Sequence, residues 1–529
     1  MNYIVIPASV EGLQPAVDFI KETLDEHKVR SNLREETILI FEELFTDIID
    51  NGSVEGSTLR ISLKKSFGRI MFLINFYGER FLIDLEQGDE MDPHTAILRA
   101  YEDRFTFNYR RRANTITINA MENHGFLSRV LICTVAVLAS YFVLIELFSP
   151  EALMNIRSYF LTPLIDSYLS AGIMVSAPVT FFSLVKNISD VNVTLDGRKS
   201  IKRTFLSVGA ISIVGIVVAF IFVYAANTFT GSIINHSGLV STKEIAGELP
   251  PLYESIKSLV PSDIVEAFTV MNPGPLIFMG LITAISICSM DKHFKMIKDI
   301  NDALCSLFCK MLLIIMWFMP AFAVLSVLSL MIKTGPKLVS LLLYFIILSV
   351  LSVTVLFSSK LIALKAKGVK LLPFLKKCIP VMRENFNFNS SIDAVPYNSR
   401  FCNSSLKVKK SIIDLELPIL AQVSLCGNCL LITLLSIITA ECFGISLSAE
   451  QMIIVAFIAF ALSIGAPNQP GSFFVGMTII FSYFQLPVGD MAIIIVIEAL
   501  VGRFATFLNT MSDIITVYSH EMDRRNKVE

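Results

Sequence analysis

Charge is what this sequence has least of. Of its 529 residues only 17% are Asp, Glu, Lys or Arg, against roughly 25% in an ordinary soluble protein, so most of the chain does not face water. A cysteine framework is missing too: all nine cysteines lie beyond residue 130, inside apolar sequence, and read as buried thiols. Cys426 and Cys429 form a CxxC, but within an apolar helical run, where they are neighbours on one turn rather than redox or metal ligands. The six histidines are scattered, and no His, Cys and carboxylate group has metal-ligand spacing. No cleavable signal peptide is expected, because the first 125 residues read as a folded domain. These shortages exclude a soluble multidomain enzyme, a secreted disulfide scaffold and a nucleic-acid binder as readings of the whole chain.

What is present is apolar and unevenly spread. Hydrophobic residues make up 53% of the chain, with a mean hydropathy of +0.64. Residues 1–125 carry 21 acidic and 14 basic side chains, a net of −7. The remaining 404 carry 25 and 30, a net of +5. An acidic polar head precedes a long apolar body, the pattern of an integral membrane protein with a cytoplasmic N-terminal domain.

The head reads as a short strand at 3–7, helices at 15–27 and 33–50, and two hairpins, 58–65 with 69–77 and 105–111 with 115–121. The second helix carries Ile38, Ile40, Phe41, Leu44, Phe45 and Ile48 at helical spacing, and the strands alternate. Two helices on one face of a mostly antiparallel sheet make a two-layer α+β domain. This order, with Phe41-Glu42-Glu43-Leu44-Phe45-Thr46-Asp47-Ile48-Ile49-Asp50-Asn51, resembles the histidine-kinase-like ATPase fold of the anti-sigma-factor kinase type over residues 3–121. In that family a catalytic Glu precedes a magnesium-binding Asn by four residues. Glu43 stands at the Glu position, but Asp47 replaces the Asn and Asn51 a following His. The adenine-holding D-x-G-x-G turn would fall at Asn75-Phe76-Tyr77-Gly78-Glu79, which keeps one glycine and no adenine-binding Asp, and no glycine-rich lid follows. The resemblance therefore implies a degenerate nucleotide site at Glu43 and Asp47, in a regulatory or docking domain rather than an active kinase.

The body opens with a spanning segment at 126–148, long enough for a bilayer at about 1.5 Å per residue. Apolar runs follow at 164–185, 204–228, 274–290, 300–332, 337–359, 413–445, 451–486 and 488–518. Lys and Arg crowd alternate loops: Lys186, Arg198, Lys199, Lys202 and Arg203 in one, Lys292, Lys295 and Lys298 in another, and Lys360, Lys365, Lys367, Lys370, Lys376 and Lys377 in a third. Positive loops stay inside, so the N-terminus is cytoplasmic, and so is the C-terminus. Residues 380–410 are polar and broken, and Gly465-Ala466-Pro467-Asn468-Gln469-Pro470-Gly471 interrupts the run at 451–486. Irregular backbone at membrane depth must line a protein-enclosed cavity, and paired interruptions point to a substrate site between helical hairpins.

Four ordered motifs then make residues 126–519 resemble the dicarboxylate/amino acid:cation symporters, the glutamate-transporter homologues. Arg400-Phe401-Cys402-Asn403-Ser404-Ser405-Leu406 stands where the family has its serine-rich first hairpin tip. Ser424-Leu425-Cys426-Gly427-Asn428 stands at the N-M-D-G-T break of the seventh helix. Ser463-Ile464-Gly465 through Pro470-Gly471 matches the second hairpin tip, and Arg503 to Asp513 the eighth helix. The resemblance implies eight transmembrane helices and two re-entrant hairpins. It further implies a polytopic α-helical homotrimer in the plasma (inner) membrane, with 126–360 largely scaffold, 371–519 a transport core and 1–122 the cytoplasmic domain.

The same resemblance assigns residues. Asn509 and Asp513, one turn apart on one helix face, would serve the substrate carboxylate and a sodium ion. Ser424 and Ser463 would join them around the cation, while Cys426 replaces a sodium-binding Asp, and a thiol is no hard oxygen ligand. At the substrate end, Gly502 and Ala505 stand where the family has the Asp and Arg that hold an acidic amino acid. Arg400 is the replacement guanidinium for an anion, its other reading being a cytoplasmic-side salt bridge; Asn403, Ser404, Asn428 and Thr506 would supply neutral hydrogen bonds. Glu441, Glu498 and Arg503 read as structural.

The reading that follows is a non-enzymatic secondary transporter. It would carry a small organic anion, a dicarboxylate or an amino acid, with sodium or a proton, by an elevator movement of 371–519 and with no cofactor beyond the transported cation. Its rival is a membrane sensor in which the transporter fold binds a ligand and the head reports to a cytoplasmic protein partner.

Overall fold

The computed structural model of the chain describes residues 3–27, 29, 31–51, 54–66, 69–78, 81, 98, 101, 104–110, 113–120, 140–141, 143, 146–193, 198–235, 252–257, 259–269, 273–290, 293–388, 390–467, 471–484, 486 and 491–528. It packs as two units, Met1–Arg129 and Val130–Glu529.

In the first unit β1 (Tyr3–Pro7), α1 (Val10–Glu26), α2 (Ser31–Asn51), β2 (Val54–Ser66), β3 (Arg69–Gly78), β4 (Phe105–Arg110) and β5 (Ala113–Asn119) follow one another. The sheet order is β1-β2-β3-β5-β4, and every neighbouring pair is antiparallel. Period-two alternation sends Leu59 and Ile61, then Ile70, Phe72, Ile74 and Phe76, then Ile116 and Ile118 to one buried face. Against it α2 lays Ile40, Phe41, Leu44, Phe45 and Ile48, and α1 lays Ala16, Val17, Ile20 and Leu24. Each large side chain so buried contributes about 1.5–3 kcal/mol. Ser66 pairs with Arg69, so two residues join that hairpin; Phe67 and Gly68 themselves lie outside the described residues, as does most of the stretch after Gly78 where a lid would fall. Helix α1 begins at Val10, five residues before the expected start at Pro15. Ser9, in extended conformation, is its N-cap.

The second unit begins, beyond an expected first span that lies mostly outside the described residues, with α3 (Pro150–Ile156). A π turn at Arg157–Leu161 leads into α4 (Thr162–Val193). Then come α5 (Arg198–Asn235), α6 (Leu252–Lys257), α7 (Glu266–Thr269), α8 (Pro273–Cys288), α9 (Phe294–Thr334) and α10 (Lys337–Ala366). Six stretches among the described residues are long and apolar enough to cross a membrane, and the chain is a multi-pass membrane protein. One face of α5 shows why: Leu206, Ile213, Val217, Ile221 and Tyr224 are each more than half exposed, which suits lipid and not water. Its other face buries Val208, Val218, Ala219 and Val223.

The apolar run at 413–445 forms two helices, α13 (Lys410–Val423) and α14 (Cys426–Cys442), separated by Ser424 and Leu425, within the segment where a break is expected. Every residue of α14 except Glu441 is buried, so it is the centre of the unit. Before the pair stand α11 (Leu371–Asn385) and α12 (Val395–Ser404), and after it α15 (Ala449–Gly465) and α16 (Ser472–Tyr483). The chain closes with α17 (Ala492–Val528). Helix α5 packs along α14, and α9 and α10 along α17.

The expected position of the first hairpin tip needs correction. Among the described residues the turn between α11 and α12 takes in 386–388 and 390–394, and Arg400-Phe401-Cys402-Asn403-Ser404 lies on the second arm. The physical reason is Pro396, which sits in the first turn of α12, where its fixed φ favours a helix start. The polar stretch before it, with Ser390, Ser391 and Asp393, makes the turn instead. At the second hairpin, Asn468, Gln469 and Pro470 lie outside the described residues. Gly471, at φ +95°, starts α16 in the left-handed region, where a Cβ would also lie 2.8 Å from Met316.

Candidate functional site

The break after α13 is where polar side chains meet inside the apolar body. Ser424 and Leu425 leave the helical path, so the first N–H groups of α14 lack intrahelical acceptors. Asn509 supplies one from another helix: its Oδ1 accepts the Gly427 N–H at 2.6 Å. Its Nδ2 donates to Asn428 Oδ1 at 3.2 Å, and Asn428 Nδ2 donates to Ser472 Oγ at 3.2 Å. One chain of hydrogen bonds thus ties the last helix, the broken helix and the start of α16. Asn428 and Asn509 are both buried. The approach of α17 demands a glycine at 427, since a Cβ there would sit 2.3 Å from the Ala505 carbonyl oxygen.

One turn along α17 lies Asp513, also buried. The Ser424 hydroxyl and the Lys360 ammonium face it, Cys402 and Cys426 lie within its electrostatic reach, and its Oδ1 has no hydrogen-bond partner among the described residues. Cys426 is fully buried, so the position expected for a second acidic ligand holds a neutral thiol. Ser463 is buried too and donates to the Phe460 carbonyl at 2.6 Å. Thr506, half-buried, donates to Gly502 O at 3.4 Å, one turn back on its own helix.

The structure therefore brings Ser424, Asn428, Asn509 and Asp513 together. Arg400, Asn403 and Ser404 are exposed and share no hydrogen bond with that set among the described residues. Ser404 Oγ donates to the Arg400 carbonyl at 2.8 Å, and Arg400 forms no ion pair among the described residues. The turn between α11 and α12 is held instead by Arg503, whose Nη1 donates to Asn387 O at 2.7 Å. In the head, Glu43 and Asp47 are half-buried on α2, each with interactions to neighbours. Residues 75–77, where an adenine-binding turn would stand, are ladder residues of β3 paired with β5, and Thr115 Oγ1 donates to Asn75 Oδ1 at 2.8 Å.

Three titratable residues turn to the interior where the sequence did not place them: Glu416 and His520 are buried, and Lys360, expected in a loop, is half-buried. Lys360 ends an apolar run, which ordinarily marks a loop, yet α10 continues past it and the ammonium turns inward to α17. Glu416 and His520 are buried together, Nδ1 to Oε2 at 2.6 Å, with Ser207 Oγ 3.2 Å from the other ring nitrogen. Beside them a cavity of about 350 Å³ opens between α5, α10 and α17, lined by Arg203, Lys360, Lys367, Thr516, Ser519 and Asp523 among others. Asp523 pairs with Arg203 and, at 2.5 Å, with Lys367. Burial and the nearby Arg203 guanidinium hold the Lys367 ammonium below the usual lysine range.

Comparison with known proteins bears on what this arrangement belongs to. Excitatory amino acid transporter 3 of Mus musculus is 31% identical over 125 residues, 24% of this chain and 24% of that protein. The excitatory amino acid transporter of Onchocerca volvulus is 29% identical over 124 residues, 23% of this chain and 25% of its own length. Excitatory amino acid transporter 2 of Rattus norvegicus is 27% identical over 124 residues, 23% and 22% of the two chains. The chain thus spans about a quarter of the length of the curated relatives it matches. The family described as the sodium:dicarboxylate symporter family matches over residues 129–520. With that match running through the broken helix, both helical pairs and the last helix, the chain belongs to the sodium:dicarboxylate symporter family.

Proposed function

We propose that the protein is a secondary active transporter that carries a small organic anion, a dicarboxylate or an acidic amino acid, together with sodium or a proton. The observation that carries this reading is the break at Ser424 and Leu425, set in the most deeply buried helix path of the unit and faced by Asn509 and Asp513. A helix break and a buried carboxylate are costly at membrane depth, and Asp513 Oδ1 has no hydrogen-bond partner among the described residues, which supports a ligand there. Asn428 and Asn509 supply neutral donors and acceptors to the anion, with Thr506 a turn away. Asp513 supplies the full charge of the cation site, with Ser424 beside it and Ser463 on the neighbouring hairpin arm. Arg400, Asn403 and Ser404, exposed on α12, attract the anion toward the hairpin rather than holding it at the break.

In this reading α11 with α12 and α15 with α16 are re-entrant hairpins, and eight helices span the plasma (inner) membrane with both termini cytoplasmic. Three copies assemble, and residues 371–519 move as an elevator. The head, as a kinase-like fold with Glu43 and Asp47 in a degenerate site, regulates transport or docks a cytoplasmic partner.

The test is uptake of labelled dicarboxylates and acidic amino acids into proteoliposomes, with and without a sodium gradient, for the wild type and Asp513→Asn. Uptake that the gradient drives in the wild type and that the variant loses is the expected result. Binding of the same anions without any uptake would favour a sensor over a transporter.

A further inference from the structure

Lys360 on α10 reaches across to the helix that carries Asp513. Its Nζ donates to Thr516 Oγ1 at 2.6 Å and to the Ser512 carbonyl at 3.2 Å. Both acceptors are neutral, and both flank Asp513 on α17. The carboxylate in turn keeps one buried oxygen, Oδ1, with no hydrogen-bond partner among the described residues, while the ammonium faces it electrostatically. A half-buried ammonium turned into the protein is favoured by a negative charge nearby, and Asp513 is the buried carboxylate that faces it. The neighbouring Cys426 is a thiol and adds no second negative charge.

From this juxtaposition we propose that Lys360 is a tethered cation that competes with transported sodium for Asp513. The inference rests on the reading of Asp513 as the charged centre of the cation site. Two positive charges cannot share one buried carboxylate cheaply, so sodium binds when the ammonium withdraws. The lysine has a flexible four-carbon stem for that movement, and somewhere to go: it lines the cavity that also contains Asp523. Sodium affinity is then set by an internal competitor and not by the ligand set alone, which matches a site whose second acidic position is Cys426.

The experiment measures thermal stability of the full-length purified protein across a sodium series, with choline holding ionic strength constant. In Lys360→Met the half-saturating sodium concentration should fall roughly tenfold or more, and the sodium response should vanish in Lys360→Met/Asp513→Asn. A half-saturation in Lys360→Met equal to or higher than in the wild type, or no sodium response in either, overturns the proposal. So does a response in the double variant equal to that of Lys360→Met. Should Lys360→Met fail to fold, Lys360→Gln, which keeps a donor for Thr516 without the charge, carries the same expectation. Uptake assayed in parallel separates the two claims. Absence of uptake with the sodium shift intact removes the transport reading and leaves the lysine's role standing; normal uptake with an unshifted sodium response does the reverse.

Discussion

Asn509 holds the start of α14 from another helix: its Oδ1 lies 2.6 Å from the Gly427 nitrogen, in the first turn after the break. Removing that acceptor leaves a buried N–H unsatisfied and frees Asn428 as well. Asn509→Ala should therefore cost about 1–3 kcal/mol of stability and weaken anion binding together with it. Thermal unfolding in detergent, with and without a candidate dicarboxylate, reads both effects. An unchanged melting temperature would show that the bond contributes nothing.

Gly427→Ala tests the close approach of α17 directly. The new methyl would meet a backbone carbonyl at 2.3 Å, an atom that moves only if α17 moves. A loss of about 1–3 kcal/mol or more is expected, with disrupted anion binding. Gly209→Ala on α5, where a Cβ meets nothing within 4 Å, is the control and should be tolerated or slightly stabilising.

Glu416 and His520 form a buried pair between α13 and α17, each about 4% exposed. Breaking it from one side strands the other group. Glu416→Gln and His520→Gln should each destabilise by about 1–3 kcal/mol, because each disturbs a buried hydrogen-bonded partner, and the double variant by clearly less than their sum. A double-mutant cycle by chemical denaturation measures this; additive losses would mean the two side chains do not act together.

On the proposed kinase-like reading of the head, Asp47 would replace a magnesium-binding Asn, and residues 75–77 are committed to the β3–β5 ladder. Purified residues 1–122 should fold, since they have their own apolar core, yet show no magnesium-dependent ATP binding by calorimetry. A micromolar affinity would make the head a working nucleotide domain.

Local sequence determined what local forces govern. The apolar runs named the helices because nothing but lipid or protein can surround them, and alternation named β3 and β5 because one face of the sheet is buried. The Ser424 to Asn428 and Asn509 to Asp513 segments were legible through their resemblance to the motifs of a known family. The tertiary structure decided what depends on which helices face each other. It placed the first hairpin turn between α11 and α12 instead of at Arg400 to Leu406, because Pro396 starts a helix that carries the later motif away from the turn. It turned Lys360 inward, although a lysine closing an apolar run ordinarily faces water. It joined Glu416 to His520 across 104 positions of chain. Spacing along one helix carries no information on the angle at which a second helix approaches, and that angle is what makes a buried charge affordable.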